Sequence, residues 1–198
     1  MSKVLREKDT AIFDFDGTLS DTLGCNYQLD TQLLSKYGAS ITEYDYHALG
    51  GLTFTSLCAE FQKRFSLPVT AEQLFAERQD IYLKEYVPKF RLFPYAEEFL
   101  KLLRTRGFKI GIASASSPDI FEIFFENNPE LKKYFDCVVT CDELKVCKPT
   151  PVVYEECIRR LGKTKEGAVI FEDSYVGLVG AKMTGCPVVC ILSTTDRV

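Results

Sequence analysis

The sequence predicts an α/β fold in which a parallel β-sheet is covered by helices on both faces. Two observations lead to this prediction. Five short apolar segments alternate along the chain with segments of helical periodicity, as in parallel sheets whose strands are buried on both sides. The alternation is interrupted once, after the first apolar segment, by roughly 60 residues that show helical periodicity only. The fold class is therefore a three-layer α/β core with a small α-helical insertion after strand one.

The first predicted strand covers residues 10–13, and the insertion follows a turn-rich linker. Within the insertion, apolar side chains recur at the spacing of one face of an amphipathic helix, namely Phe54, Leu57, Cys58, Phe61 and Phe65. Pro68 and Pro88 interrupt the helical pattern. We predict two domains: an α/β core of residues 1–24 and 88–198, and a helical domain of residues 25–87.

Strands and helices alternate regularly in the second half of the chain. Apolar runs predict strands two to five at residues 108–113, 137–139, 168–171 and 187–192. Helical periodicity fills the intervals, with Pro near the helix starts and Gly after the helix ends, as at Pro94 and Gly107. This order predicts that each helix packs on a face of the sheet.

The composition excludes several classes of protein. The net charge of −4 and the sequence pI near 5.2 provide no basic surface for nucleic acid. No segment approaches the roughly 20 apolar residues of a membrane span. Residues 1–9 lack the apolar core of an export signal. We therefore expect a soluble, cytoplasmic protein with neither a nucleic-acid nor a membrane partner.

The chain has eight cysteines and a single histidine. There is no Cys-x-x-Cys pair, and several cysteines lie within apolar runs, where a free thiol behaves as a small hydrophobic side chain. We expect free thiols in the core rather than a zinc site or a disulfide framework.

Polar side chains follow the predicted strands at the points where those strands end. Asp14 and Asp16 follow the first strand, and in extended backbone such i, i+2 residues lie on the same side. Two carboxylates at the end of a buried strand require a partner, and Mg²⁺ prefers oxygen ligands. Gly17 permits the turn that follows. The alternative interpretation is an ordinary Asp-x-Asp-Gly turn on the surface, without a ligand. The residues at the other strand ends distinguish between these two interpretations.

Further polar residues lie at three other strand ends. Ser114 and Ala115 follow strand two, Lys148 lies in the loop after strand three, and Glu172 and Asp173 follow strand four. Ligands of open α/β sheets bind at the carboxyl ends of strands, so we expect these residues to meet.

The combined residue types indicate phosphate chemistry. Acids require a divalent cation, while a lysine, hydroxyl groups and strand-end amides suit a dianion such as phosphate. An aspartate can attack phosphorus to form an aspartyl-phosphate. A second acid can protonate the leaving oxygen and then activate water.

On these four segments, the sequence resembles the haloacid dehalogenase-like superfamily in its phosphatase and beta-phosphoglucomutase-like branch, over about residues 10 to 192. The most specific motif is Asp14-Phe15-Asp16-Gly17-Thr18. The resemblance implies a Rossmann-like core and a helical cap that closes over the site. It also implies that Asp14 is the nucleophile and a Mg²⁺ ligand. Asp16 is then the general acid/base, and its backbone carbonyl is a metal ligand.

The resemblance also assigns the remaining site residues. Ser114 and the amide of Ala115 hold the phosphate, and Lys148 bridges the phosphate and the nucleophile. Asp173 is a metal ligand, with Glu172 beside it as a second ligand or a water-orienting group. The chain is accordingly expected to be a Mg²⁺-dependent phosphatase acting on a small phosphorylated metabolite.

Two other functions remain open at this point. A beta-phosphoglucomutase-like mutase fits Ser114-Ala115-Ser116, but mutases of the family carry a cap arginine and a histidine where this chain has Phe54 and Asn26. An arginine is suited to grip the second phosphate of a bisphosphate. A non-catalytic phosphate-binding protein of the same fold would be expected to lack Asp14, Asp16 or Lys148. A monomer and a homodimer are both compatible with the sequence.

Overall fold

A computed structural model describes residues 5–49, 54–146 and 148–192. In these residues, five parallel strands form one sheet of order β3-β2-β1-β4-β5. The strands are β1 (Thr10–Phe13), β2 (Lys109–Ser114), β3 (Cys137–Thr140), β4 (Ala168–Glu172) and β5 (Val188–Cys190). The predicted parallel sheet is confirmed, although β5 is shorter than the predicted segment of residues 187–192.

Helices fill the intervals between the strands, as the periodicity predicts. After β1 come α1 (Leu23–Ser35), α2 (Glu43–His47), α3 (Phe54–Arg64) and α4 (Ala71–Ile81). A π-helical turn (Tyr82–Tyr86) and a 3₁₀ turn (Val87–Lys89) follow α4. The later helices are α5 (Ala96–Thr105), α6 (Pro118–Asn127), α7 (Cys141–Leu144), α8 (Val152–Arg160) and α9 (Tyr175–Met183). The predicted helical insertion after strand one is confirmed.

The chain divides into two compact units. One contains the residues up to Asp21 and those from Phe90 onward, and the other is the inserted Thr22–Lys89. The role of the inserted unit as a cap stays a prediction.

Alternate residues of the central strands pack into two separate cores. Ile12, Ala113 and Ile170 are fully buried in a cluster that includes Tyr154 and Cys157 of α8.

The next residues of β1 and β4, Phe13 and Phe171, belong to the second core. Their ring centroids are 4.4 Å apart, and the ring of Phe99 on α5 contacts both rings edge-on. Burial on both faces explains why the strands are continuous apolar runs.

The inserted unit has its own core, and a buried ion pair lies within it. Leu29, Phe61 and Leu74 are fully buried there. Arg78 of α4 donates to both carboxylate oxygens of Asp30 on α1, at 2.8 and 3.3 Å, and both side chains are at most 1% exposed. Such a pair is tolerated in a core because the guanidinium and carboxylate satisfy each other.

The strand register aligns the ends of the central strands. Phe13 lies opposite Ile112 of β2 and Phe171 of β4, so the residues that follow these strands emerge at one edge of the sheet. Among the described helices, none is both long and apolar enough to cross a bilayer. The seven cysteines that can be described are free thiols, and Cys147 lies outside the described residues.

Candidate active site

Asp14 occupies the first position after β1. Its backbone N–H donates to the carbonyl of Phe171 at 3.0 Å, which continues the β1–β4 pairing and fixes the residue at the sheet edge. The side chain is buried, with the residue 5% exposed. Burial raises the pKa of Asp14 to about 8; the charges of Glu172 and Asp16 act in the same direction, whereas Lys148 opposes them. Additional positive charge beside Asp14 would therefore favour its ionised form.

The turn after Asp14 directs the next two polar side chains to different partners. Gly17 adopts a positive φ of 84°, and its N–H donates to the carbonyl of Ser20 at 2.9 Å. The hydroxyl of Thr18 then donates to Oδ1 of Asp173 at 2.9 Å.

Asp16 accepts at Oδ2 from the hydroxyls of Ser116 at 2.6 Å and Ser114 at 3.4 Å. The turn thus connects β1 to the ends of both β2 and β4.

Lys148 lies between two carboxylates. Its Nζ is 2.6 Å from Oδ1 of Asp14 and 2.6 Å from Oε1 of Glu172, and its side chain is 7% exposed. Burial acts to lower the pKa of Lys148, but the charges of Asp14 and Glu172 outweigh it and raise the pKa above its usual range. Lys148 is thus a fixed positive charge at the site.

Glu172 is the last residue of β4 and is completely buried. Oε1 accepts from Lys148 and from the Tyr154 hydroxyl, the latter at 2.8 Å. Oε2 accepts from the backbone N–H groups of Asp173 and Ser174, both at 3.0 Å, and from the Ser174 hydroxyl at 3.1 Å. These donors satisfy a carboxylate that would otherwise be very costly to bury.

The acidic group can hold a hard cation. Ligand oxygens of Asp14, Glu172 and Asp173 all lie within 4.8 Å of one another. Carboxylate oxygens are the donors that Mg²⁺ prefers, so the donor set fits this metal. Burial also raises the pKa of Asp173, and a nearby cation would favour its charged form too. Because Glu172 already accepts hydrogen bonds at both oxygens, Asp14 and Asp173 are the more available ligands of the three.

The end of β2 supplies hydroxyl groups. Ser114 is fully buried, and its Oγ accepts from the backbone N–H of Ser116 at 3.0 Å. Ala115, between them, is exposed. The hydroxyls of Ser114 and Ser116 both donate to the Asp16 carboxylate, so the end of β2 is joined to the turn that follows β1.

The structure therefore brings the predicted site residues together in two groups. Lys148 joins Asp14 to Glu172, beside Asp173, and Asp16 contacts Ser114. Sequence reasoning did not assign roles to four residues that contact these groups, which are Thr18, Ser116, Tyr154 and Ser174. Thr18 belongs to the Asp14–Thr18 motif and Ser116 to the Ser114–Ser116 segment, so their positions in the sequence could have indicated a role in the site. The periodicity of α8 predicts Tyr154 only as part of an apolar helix face.

An acidic site with a buried lysine, at the carboxyl edge of a doubly wound parallel sheet, places the chain among the α/β enzymes that bind ligands at strand ends. Comparison with protein-family models then identifies the family. Residues 11–191 match the model of the haloacid dehalogenase-like hydrolases, and the chain belongs to that family. The resemblance seen in the sequence is thereby confirmed.

Individual relatives are distant. A phosphorylated carbohydrates phosphatase of Thermotoga maritima is 29% identical over 89% of this chain and 82% of its own length. A bifunctional riboflavin kinase/FMN phosphatase of Arabidopsis thaliana is 25% identical over 98% of this chain, which spans about half (51%) of that relative. The crystal structure of a beta-phosphoglucomutase from Clostridium difficile has a TM-score of 0.71 at 19% identity, covering 96% of this chain and 86% of that one. The family match and the phosphatase names of these relatives confirm the predicted enzyme class, a haloacid dehalogenase-like phosphatase.

Proposed function

We propose that the protein is a Mg²⁺-dependent phosphatase that hydrolyses a small phosphorylated metabolite, such as a sugar phosphate, through an aspartyl-phosphate on Asp14. The observation that carries this proposal is the contact of Lys148 with Asp14, at 2.6 Å, beside a second aspartate held by hydroxyl groups. The names of the phosphatase relatives support the same reaction class.

In the first step, a carboxylate oxygen of Asp14 attacks phosphorus. The new O–P bond forms as the bond between phosphorus and the ester oxygen breaks, and Asp16 gives its proton to that leaving oxygen. Lys148 neutralises charge on Asp14 and on the incoming phosphate, which lowers the repulsion between the two anions. Ser114 and the amide of Ala115 would bind the phosphate oxygens.

In the second step, Asp16 acts as a base. It takes a proton from water, the resulting hydroxide attacks phosphorus, and the bond from phosphorus to Asp14 breaks to release inorganic phosphate and the free carboxylate. Asp14 and Asp173, with the backbone carbonyl of Asp16 and with Glu172 beside them, would hold Mg²⁺. The cation supplies charge neutralisation at the phosphoryl group when bound.

A mutase is the second candidate, because the Ser114-Ala115-Ser116 segment resembles that branch. The inserted unit does contain a buried arginine beside both positions that depart from the mutase pattern. Arg78 donates to Oδ1 of Asn26 at 2.8 Å and stacks 3.8 Å from the ring centroid of Phe54. Its guanidinium is also paired with Asp30 and is only 1% exposed. A guanidinium held in this way favours a structural role over a grip on a second phosphate, and so favours the hydrolase.

The test is release of inorganic phosphate from sugar phosphates, nucleotides, phosphoglycolate and an aryl phosphate, with Mg²⁺ and with EDTA. Asp14→Asn is compared with Asp80→Asn, a matched change at an exposed side chain of α4 that pairs only with Lys84 among the described ion pairs. We expect release that requires Mg²⁺, disappears in Asp14→Asn and persists in Asp80→Asn. Interconversion of glucose phosphates with a bisphosphate primer, without net release, would instead establish the mutase.

A further inference from the structure

Beneath Lys148, the structure contains a buried hydrogen-bond chain, of which the proposed reaction uses only the contact of Lys148 with Asp14. It runs from the Tyr154 hydroxyl to Oε1 of Glu172, from Oε1 to Nζ of Lys148, and from Nζ to Oδ1 of Asp14, over distances of 2.8, 2.6 and 2.6 Å. Tyr154 and Glu172 are both fully buried. Tyr154 stands at the end of this chain that is farthest from Asp14.

The two oxygens of Glu172 are held by different means. Oε2 is fixed by donors of the turn that starts α9, at Asp173 and Ser174. Oε1 contacts only side-chain donors among the described hydrogen bonds, the Lys148 ammonium and the Tyr154 hydroxyl. The same hydroxyl proton also faces the carbonyl of Gly177 on α9 at 3.2 Å, as the longer branch of a bifurcated hydrogen bond. Tyr154 thus limits rotation of the carboxylate about its Oε2 contacts.

We propose that Tyr154 is a positioning residue, which through Oε1 of Glu172 holds the Lys148 ammonium against Asp14; this inference rests on the proposed phosphatase function. The lysine side chain is flexible, and its charge assists catalysis only when the ammonium sits at the reacting group. Removing the hydroxyl leaves Lys148 and Glu172 paired, but it frees Oε1 to turn and take the ammonium away from Asp14.

The direct test is Tyr154→Phe, which deletes the hydroxyl and keeps the ring in its core. The control is Tyr134→Phe, which removes a comparable tyrosine–carboxylate hydrogen bond, 3.0 Å to Glu97, from a side chain that is also buried. We expect kcat of Tyr154→Phe to fall about tenfold, the size typical for loss of a hydrogen bond to a charged group. KM should change less than about twofold, because the hydroxyl acts through Glu172 rather than on the substrate. Tyr134→Phe should retain the kcat of the parent protein.

A second readout does not depend on turnover. In ¹⁵N-lysine-labelled protein, an ammonium group held by two buried carboxylates gives a slowly exchanging ¹H–¹⁵N signal, which Lys148→Met assigns by its loss. The signal should shift or broaden in Tyr154→Phe and stay unchanged in Tyr134→Phe. If the parent protein proves inactive on every substrate and the signal still responds to Tyr154→Phe, the positioning stands and the proposed function fails. A parent-like kcat in an active enzyme, or an unchanged ammonium signal, would overturn the proposal.

Discussion

The Nζ atom of Lys148 lies 2.6 Å from Oδ1 of Asp14, although the two residues are 134 positions apart in the chain. The same ammonium is equally close to Glu172. One positive charge therefore serves two buried carboxylates, and much of the behaviour of the site should depend on it.

Replacement of Lys148 by Met should affect both activity and stability. Loss of the cation leaves Asp14 and Glu172 buried side by side, which should lower the free energy of unfolding by about 3 kcal/mol. Phosphate release should fall by at least about 100-fold, as expected for removal of a preorganised charge. Denaturant titration and initial rates measure the two effects. Lys84→Met, at an exposed lysine paired with Asp80, is the control and should match the parent protein in both.

Gly177 provides space for the Glu172 carboxylate. A Cβ atom at position 177 would lie 2.0 Å from Oε1 of Glu172, which is far inside van der Waals contact. We expect Gly177→Ala to displace Glu172, to lower the free energy of unfolding by about 1–3 kcal/mol and to reduce kcat. Gly24→Ala is a suitable comparison because the position lies in α1 and an added Cβ atom would meet no described atom within 4 Å. That variant should be neutral or slightly stabilising, and equal stability of the two variants would contradict the proposed crowding.

The ion pair in the inserted unit should be important for stability. Arg78→Met leaves Asp30 buried without its guanidinium, and we expect a loss of about 3–5 kcal/mol in the free energy of unfolding. The double variant Arg78→Met/Asp30→Leu should recover part of that loss, because the unpaired charge is removed as well. Urea unfolding of the parent, both single variants and the double variant gives the coupling energy. Additive effects would show that the two side chains do not stabilise each other.

Asp136 should give the protein a stability that depends on pH. Burial opposes ionisation of this carboxyl, but the Ile110 N–H, Lys109 and Arg104 together lower its pKa below the usual range. Because the folded-state pKa is lowered, the stabilisation is present above the unfolded pKa, roughly 3.9, and is lost as the pH falls through the folded value. Asp136→Asn should cost about 1 kcal/mol at about pH 7 and much less at about pH 3. A pH-independent difference in thermal unfolding would argue against this contribution.

Much of this architecture is predictable from the sequence because burial dictates residue type. A strand covered on both faces must be apolar, and polar residues at its carboxyl end therefore stand out, as at Asp14 directly after β1 and Glu172 at the end of β4. In a parallel sheet the carboxyl ends of the strands meet at one edge. The strand assignments alone therefore predict that such residues lie close together. For the same reason, the helical insertion is visible as the region that lacks strand-like runs.

Contacts between distant side chains are not encoded in such local patterns. Tyr154 fits an apolar helix face by periodicity, and only the folded structure shows that its hydroxyl reaches Glu172. Arg78 and Asp30 would each be expected on a surface, since a charged side chain is rarely buried without a partner. The two residues are 48 positions apart in the chain, and they become partners only because α1 packs against α4.

Asp16 is expected to serve both half-reactions, so its replacement should separate them. In Asp16→Asn the leaving oxygen is no longer protonated and water is no longer activated, and both rates should fall by at least about 100-fold. With an aryl phosphate, whose leaving group needs little protonation, the second step should be slowed more and the phosphoenzyme should accumulate. Rapid-quench kinetics measure the two steps separately, and parent-like rates in both would remove Asp16 from its acid/base role.

The most direct test of the proposed mechanism is to locate the phosphoryl group in that trapped protein. Asp16→Asn is mixed with the aryl phosphate and Mg²⁺, quenched in acid, digested and examined by mass spectrometry. We expect one phosphoryl group, labile to hydroxylamine as an acyl phosphate is, on the peptide that contains Asp14, and none in Asp14→Asn/Asp16→Asn. A phosphoryl group on another residue, or phosphate release that proceeds with no covalent species in either protein, would contradict the mechanism.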